Sequence, residues 1–397
     1  MKPREEEQTL ARPFAEATEL FRGRDPRAAE LRLRQILSQR PDHAPSLNLL
    51  ALIVGRDGRD AECVALLEQA IVHGAPEQAA ASALLLGAAH ERAGRAPRAE
   101  AAYGRALEAA PQTAEAHLRL GLLLQRQGRA EAALGPLRAA ITAGASPAVA
   151  HGALASALYA TGDLAAAAES AAHALELSPG DPMLLANLAV IRNAQGRFTE
   201  AESLCRQALA PDEDPALLNT LGVALKETDR LDEAEAAFAW ATALKPGFVE
   251  ALYNLAGARK DQGRTDEAVE LLREVVGLAP DLAAARFALC MAHLPPLYVD
   301  GAEIEHRRSG YAAELDALAA HAERVGADSL ASGIGSAQPF YLAYQGRNDI
   351  QLQQRHGALV CRAAAEAFPA APLASAPAAG ERIRVGVVCG HIRRHSV

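Results

Sequence analysis

The sequence predicts an all-α solenoid of stacked helix pairs, and three observations predict it. A unit of about 34 residues recurs, small residues recur at two fixed places within it, and a turn residue recurs at a third. The unit is clearest in VEALYNLAGARKDQGRTDEAVELLREVVGLAPDL, from Val249 to Leu282, where Ala256, Gly263, Ala268 and Pro280 occupy the eighth, fifteenth, twentieth and thirty-second places. Small side chains at the eighth and twentieth places let two antiparallel helices approach closely, and glycine tolerates the turn between them. Pro280 ends the second helix because it has no N–H to donate and disfavours helical geometry in the residue before it.

The turn place is filled by Gly58, Gly94, Gly128, Gly162, Gly196, Asp229 and Gly263, in steps of 36, 34, 34, 34, 33 and 34 residues. The eighth place holds Ala51, Gly87, Gly121, Ala155, Ala189, Gly222 and Ala256, and the twentieth Cys63, Ala99, Ala133, Ala167, Ala201, Ala234 and Ala268. Seven repeats are therefore expected. A degenerate repeat with Ala17, Ala29 and Pro41 in the matching places precedes them, and a half repeat from Leu282 to His293 follows. The pattern resembles the tetratricopeptide repeat, which implies a right-handed superhelical solenoid over residues 9–293. The poorer fit of the first unit suits a cap, one face of which meets water.

Half of the 397 residues are hydrophobic and only 4% aromatic, which suits alanine-rich helix pairs held by close backbone approach. A net charge of −9 argues against a general nucleic-acid binder, which needs a basic face to displace counterions. Five scattered cysteines, Cys63, Cys205, Cys290, Cys361 and Cys389, form no CxxC pair, so neither a disulfide framework nor a zinc site is expected. The start, MKPREEEQTLARPF, lacks the apolar core of a signal peptide, and no later run reaches the roughly 18 apolar residues of a membrane span. On these grounds the chain is expected to be cytoplasmic, with no membrane and no nucleic acid among its partners.

Prolines 147 and 215 displace the repeat-ending proline, and both irregularities fall between helices, where insertions and deletions cost least. After Pro280 the period fails. Residues 294–368 read as a helical transition region: a break at Pro295 and Pro296, an amphipathic helix from about Ala302 to Val325, a Gly/Ser-rich loop, and a further helix. Asn348 followed by Gln351 gives that last helix a start, the amide accepting from a free N–H while the glutamine reaches back. PAAPLASAPAAGE, residues 369–381, is a linker by composition. In RIRVGVVCGHIRRHSV, residues 382–397, the β-branched run Ile383, Val385, Val387 and Val388 reads as the first buried strand of a parallel α/β sheet. A lone strand does not fold by itself, so a fragment of a longer protein is the expectation.

The array, followed in order by LPPLYVDGAEIEHRRSGYAAEL, PFYLAYQGRND and RIRVGVVCGHIRRHSV, resembles the bacterial SPINDLY and O-GlcNAc-transferase-like glycosyltransferases. The resemblance implies a GT-B catalytic region, of which this chain holds only the opening strand. It also implies a metal-free, inverting transfer of a sugar, with UDP-GlcNAc or another nucleotide sugar as donor, to Ser or Thr of polypeptide acceptors. It places His395 in the active site; an imidazole can hydrogen-bond a substrate oxygen or take a proton near neutral pH. With one strand and one loop of the site present, the chain alone is expected to be inactive. Cys389, Gly390, His391 and Ser396 stand where the animal enzymes carry other residues, and this leaves sugar and acceptor open. Arg393 and Arg394 are candidates to draw a donor phosphate to the loop after the strand, and equally read as a solvated pair.

Asn187 and Asn254 hold the sixth place of their repeats, with Thr220 between them. The resemblance implies a carboxamide ladder there that lines a concave groove and grips peptide backbone, since one amide both donates and accepts. Leu85, Arg119 and Ala153 interrupt the ladder upstream, and asparagine is common at this place in such repeats generally. Tyr103, Phe238 and Trp240 fall on second helices, where packing between repeats accounts for them without a ligand. Two functions remain in view: the acceptor-binding arm of a protein O-glycosyltransferase, and a non-enzymatic scaffold that assembles proteins through its groove. Homo-oligomerisation stays open.

Overall fold

The computed structural model describes residues 3–209 and 213–368, and every regular element among them is a helix. The seven repeats are helix pairs, from Ala44–Arg56 with Asp60–His73 to Val249–Asp261 with Thr265–Leu278. The degenerate unit is a pair as well, Pro3–Arg22 with Pro26–Gln39, and the half repeat is the single helix Ala283–Ala292. Pro147 and Pro215 each open a helix, at the position where a missing N–H costs nothing. The strand expected from Ile383 lies outside the described residues.

The turns explain the period. Gly58, Gly94, Gly128, Gly162, Gly196 and Gly263 all have φ between +68° and +88°. In each case the next residue's N–H reaches back five residues, as Arg59 does to Val54 (2.9 Å) and Arg129 to Leu124 (2.9 Å). This closes the first helix with a Schellman-type cap. Asp229 makes the same turn at φ +62°, and Arg24 makes it in the degenerate unit at φ +64°. Non-glycine residues are strained in this region. Asp229 is exposed, so Asp229→Gly is expected to raise stability by about 0.5–1 kcal/mol in urea unfolding; an unchanged or lower midpoint would contradict that reading of the turn.

Within each pair the small residues do what their places require. Every residue at the twentieth place is at most 2% exposed. The eighth place, however, follows a rule that period-counting misses: it is glycine opposite an aromatic residue at the twenty-fourth place, and glycine or alanine opposite leucine. A Cβ added to Gly87 would lie 2.3 Å from the Tyr103 ring, one on Gly121 2.6 Å from Leu137, and one on Gly222 2.5 Å from the Phe238 ring. Tyr103 and Phe238 are thus held against the glycine of their own repeat, and Tyr103 also packs on Leu123 of the following repeat, as the sequence suggested. Tyr103 donates its hydroxyl to Glu91 (2.6 Å), and burial together with that bond pushes its phenol well above the ordinary range. Trp240 departs from expectation: it is 46% exposed and walls a cleft with Leu209, Leu218, Leu221 and Leu225.

By contact the chain divides into two units, Met1–Asn254 and Leu255–Val397. In the first, each second helix packs on the first helix of the following repeat. Arginines at the start of second helices reach carboxylates one repeat back: Arg59 to Glu30 (2.9 Å), Arg129 to Glu100 (2.6 Å) and Arg230 to Glu202 (2.8 Å). Such exposed pairs are screened by solvent, so they add register more than stability.

In the second unit, Gly301–Val325 is the amphipathic helix the sequence indicated, capped by Asp300, whose carboxylate accepts from the Glu303 N–H (2.8 Å). It shares a core with Phe287, Met291, Leu330, Leu342 and Leu359, through its own Tyr311, Leu315 and Leu318. Two 3-10 segments, Ala327–Gly333 and Phe340–Gln345, lead to the helix Ile350–Ala367. Asn348, one place before the N-cap Asp349, accepts from the Ile350 N–H (3.0 Å), a free N–H of the helix start as expected. The second anchor is Arg308 instead of Gln351: it donates to Asp349 (2.6 Å), to Gln345 (2.9 Å) and to the Asn348 carbonyl.

Candidate functional site: the face of the first helices

The first helices of the fourth and fifth repeats, Pro147–Thr161 and Pro182–Ala194, carry a single Asp, Glu, Lys or Arg between them. That residue, Arg192, has a side chain only 16% exposed and is turned to Glu200 at 3.2 Å on the following helix. The two helices therefore bring no free charge of their own to the face they share. Beside it lies a groove of about 380 Å³ whose lining mixes apolar residues, among them Leu122, Val149, Met183 and Leu184, with the polar Gln125, Asp181 and Asn187. Gly152 deepens it, since a Cβ there would lie 2.7 Å from Leu184. Met183 and Val149 stand 73% and 48% exposed on its rim. Asp181 fixes the start of the helix that supplies Met183, Leu184 and Asn187, accepting from the N–H groups of Met183 (2.9 Å) and Leu184 (3.3 Å).

The structure separates the three sixth-place residues. Asn187 is half-buried in the groove wall, and its carboxamide makes no hydrogen bond among the described residues. Thr220 donates its hydroxyl to Ala216 of its own helix (2.9 Å). Asn254 donates to Oδ1 of Asn219 (2.8 Å), so the fifth-place Asn219 completes the ladder that Thr220 interrupts. A second set of amides lies at the twelfth place. Gln125 donates to the carbonyl of Ala153 (2.7 Å) and Asn193 to that of Thr220 (2.8 Å), each tying one first helix to the next. Their signal in the sequence is an amide at the same place of alternate repeats, which becomes visible only once the sixth-place carbonyl is known to be its partner.

His395, Arg393 and Arg394 lie outside the described residues. A smaller cleft, lined by Arg138, His151, Ser170 and His173, brings two imidazoles to 5.3 Å. Among the described residues no group of three or more His, Cys, Asp or Glu could hold a metal ion. No helix among them is long and apolar enough to cross a membrane.

Antiparallel helix pairs of this period, closed by left-handed turn residues and stacked through small residues, define a tetratricopeptide-repeat protein. Residues 75–286, more than half of the chain, match the family model of the cilia and flagella-associated protein 70 C-terminal domain, and residues 14–80 match a tetratricopeptide-repeat model. The chain belongs to the tetratricopeptide-repeat family, in the group described by that C-terminal domain. No curated protein matches it. Among solved structures, the Cut9–Hcn1 hetero-tetramer of APC/C is similar at 18% identity and a TM-score of 0.50, covering 74% of this chain. This chain spans 57% of the length of that one. The repeat protein YrrB is similar at 22% identity and a TM-score of 0.37 over 46% of this chain and 95% of its own. The thermophilic repeat protein TTC0263 of Thermus thermophilus is similar at 24% and 0.37, over 45% of this chain and 98% of its own.

Proposed function

We propose that the chain is a polypeptide-binding arm, and that its ligand is an extended, uncharged segment held along the first helices of the fourth to sixth repeats. The observation that carries this reading is the groove with Asn187 in its wall, whose single charged lining residue, Asp181, has its carboxylate engaged by the N–H groups of Met183 and Leu184. A peptide backbone offers alternating donors and acceptors, and a carboxamide can meet both whatever the side chains are. The apolar floor takes a small or aliphatic side chain. A carboxylate would lose its hydration there with no cation to replace it. Selection of a displayed 12-residue peptide library on the chain tests this. Binders poor in Asp, Glu, Lys and Arg are expected, and charge-rich binders would overturn the reading. The double change Asn187→Ala and Asn254→Ala is expected to weaken the selected peptides by about 1–3 kcal/mol in all, two net hydrogen bonds' worth, with unchanged helicity.

The finer reading is that this arm presents acceptors to a nucleotide-sugar-dependent O-glycosyltransferase. It rests on the resemblance of LPPLYVDGAEIEHRRSGYAAEL, PFYLAYQGRND and RIRVGVVCGHIRRHSV to that family. Sugar transfer to peptides from UDP-N-acetylglucosamine and from GDP-fucose, in the longer protein this reading requires, is the test. There His395→Ala is expected to lower turnover about 100-fold, and Arg393 and Arg394 to support donor binding. Wild-type turnover in the His395 variant would remove that residue from the site, and absence of transfer from either donor would leave the scaffold reading.

A further inference from the structure

Two clefts walled by second helices occupy the same place in the repeat, two units apart. The first, of about 230 Å³, lies between the third and fourth repeats and is lined by Arg138, His151, Leu154, Leu158 and His173. The second, of about 440 Å³, lies between the fifth and sixth and is lined by Arg206, Leu218, Leu221, Leu225 and Trp240. They correspond position by position. The arginines hold the twenty-fifth place of the earlier repeat, the pairs Leu154, Leu158 and Leu221, Leu225 the seventh and eleventh of the later one, and His173 and Trp240 its twenty-sixth. Among the seven repeats, arginine holds the twenty-fifth place only in the third, fifth and seventh, and a ring holds the twenty-sixth only in the fourth and sixth. The stack demands neither residue, since Ala172 and Ala239 fill the one place elsewhere and Ala139 and Gln207 the other. Both rings stay in water, Trp240 at 46% exposed and the His173 side chain at 59%. A flat ring left exposed beside a leucine floor, twice in register, marks an interaction surface.

We propose that the two clefts together hold one polypeptide partner through two uncharged aromatic side chains, one seated in each. Both lie within the unit Met1–Asn254, and because they repeat one place of the stack they open along one row of second helices. The first cleft is smaller than the roughly 300–1,000 Å³ of a pocket that encloses a whole small molecule, which suits a side chain projecting from a longer chain. The leucines take the apolar body of the incoming ring. His173 or Trp240 offers it a flat π-face, and the arginine a flat guanidinium on which to stack, whereas an aliphatic side chain gains only the floor. The charge of each cleft is balanced, because Glu169 lines the first along with Arg138, and Glu233 lines the second, paired with Arg206 at 3.5 Å. Burial, and His173 beside it, hold the His151 imidazole below its ordinary range, so it adds no charge at neutral pH. A charged partner therefore meets repulsion as well as attraction, and a neutral ring is favoured. The proposal is independent of the peptide groove, whose lining shares no residue with either cleft.

Trp240 is the only tryptophan of the chain, so its emission reports on the second cleft. The probes, at pH 7.5, are N-acetylphenylalaninamide, its leucine counterpart, and peptides with a phenylalanine at each end of a Gly/Ser linker of about 8–24 residues, whose r.m.s. span runs from roughly 16 to 27 Å. The phenylalanine amide is expected to shift the emission to shorter wavelength and to saturate, and the leucine amide to bind about threefold to tenfold more weakly. In calorimetry with the full 397-residue chain, the best two-ring peptide is expected to bind roughly tenfold or more tighter than the single ring. His173→Ala, or Trp240→Ala, changes an exposed side chain and should return that peptide to single-ring affinity with helical circular dichroism unchanged. Gln207→Ala, at the same place of the fifth repeat, and Met183→Glu, in the groove, should leave its affinity as it was. Four results would each overturn the proposal: no gain at any linker length, equal binding of leucine and phenylalanine, tighter binding when Asp flanks each phenylalanine, and loss of binding in Met183→Glu but not in the ring variants.

Discussion

Gly222→Ala is expected to destabilise the chain by about 1–3 kcal/mol, although alanine is the better helix former and the residue is mid-helix. The added Cβ would lie 2.5, 2.7 and 2.8 Å from three atoms of the Phe238 ring. That ring is fully buried. The same chain contains the remedy. Where the eighth place is alanine, as at Ala51 and Ala256, the twenty-fourth is Leu67 and Leu272, a shorter side chain that in those two repeats coexists with the methyl. Phe238→Leu alone should also destabilise, by opening a void. Gly222→Ala together with Phe238→Leu should instead return to within about 1 kcal/mol of the parent, giving a large favourable coupling in a double-mutant cycle by urea unfolding. Simple additivity of the two losses would show that the eighth and twenty-fourth places are not matched to each other.

Met183→Glu is expected to weaken binding of peptides selected on the chain by roughly 30-fold or more, about 2 kcal/mol. Met183 is 73% exposed on the groove rim, so a carboxylate there is hydrated in the free protein and must be stripped of water when an uncharged segment covers it. No arginine or lysine lines the groove to compensate. The fold should be indifferent, with stability changed by less than about 0.5 kcal/mol. Val72→Glu is the matched control, because Val72 is equally exposed but lies on the second helix of the first repeat. Equal loss in both variants would indicate a general effect of added negative charge and not a contact at the groove.

The repeat architecture was legible because it depends on local demands repeated seven times: a left-handed turn, a close helix crossing and a helix stop each restrict the residue at one place. Asp229 was read into the turn register by position alone, and its φ of +62° agrees. What escaped the sequence was pairwise. The match between Gly222 and Phe238 needs two places read together, and Trp240, two residues further along the same helix, looked equivalent to Phe238 until its exposure was known. Of the ladder, Asn187 was legible as a groove residue, while Thr220 turned its hydroxyl to its own helix and Asn219, one place earlier, met Asn254. A one-residue offset on a helix moves a side chain by about 100°, and this repeat is also the one reached by the short, 33-residue step. In the second unit no period guides the eye, so the role of Arg308 in fixing Gln345, Asn348 and Asp349 emerges only from the packed structure.

The polypeptide groove is tested most directly by amide hydrogen exchange of the chain with and without a selected peptide. Binding along the groove should slow exchange in the first helices of the fourth to sixth repeats, Pro147–Thr161, Pro182–Ala194 and Pro215–Glu227. The second helices Leu164–Leu177 and Leu231–Leu244 should change little. Protection centred on those second helices, or on the cleft beside Trp240, would contradict the assignment of the first-helix face as the binding site.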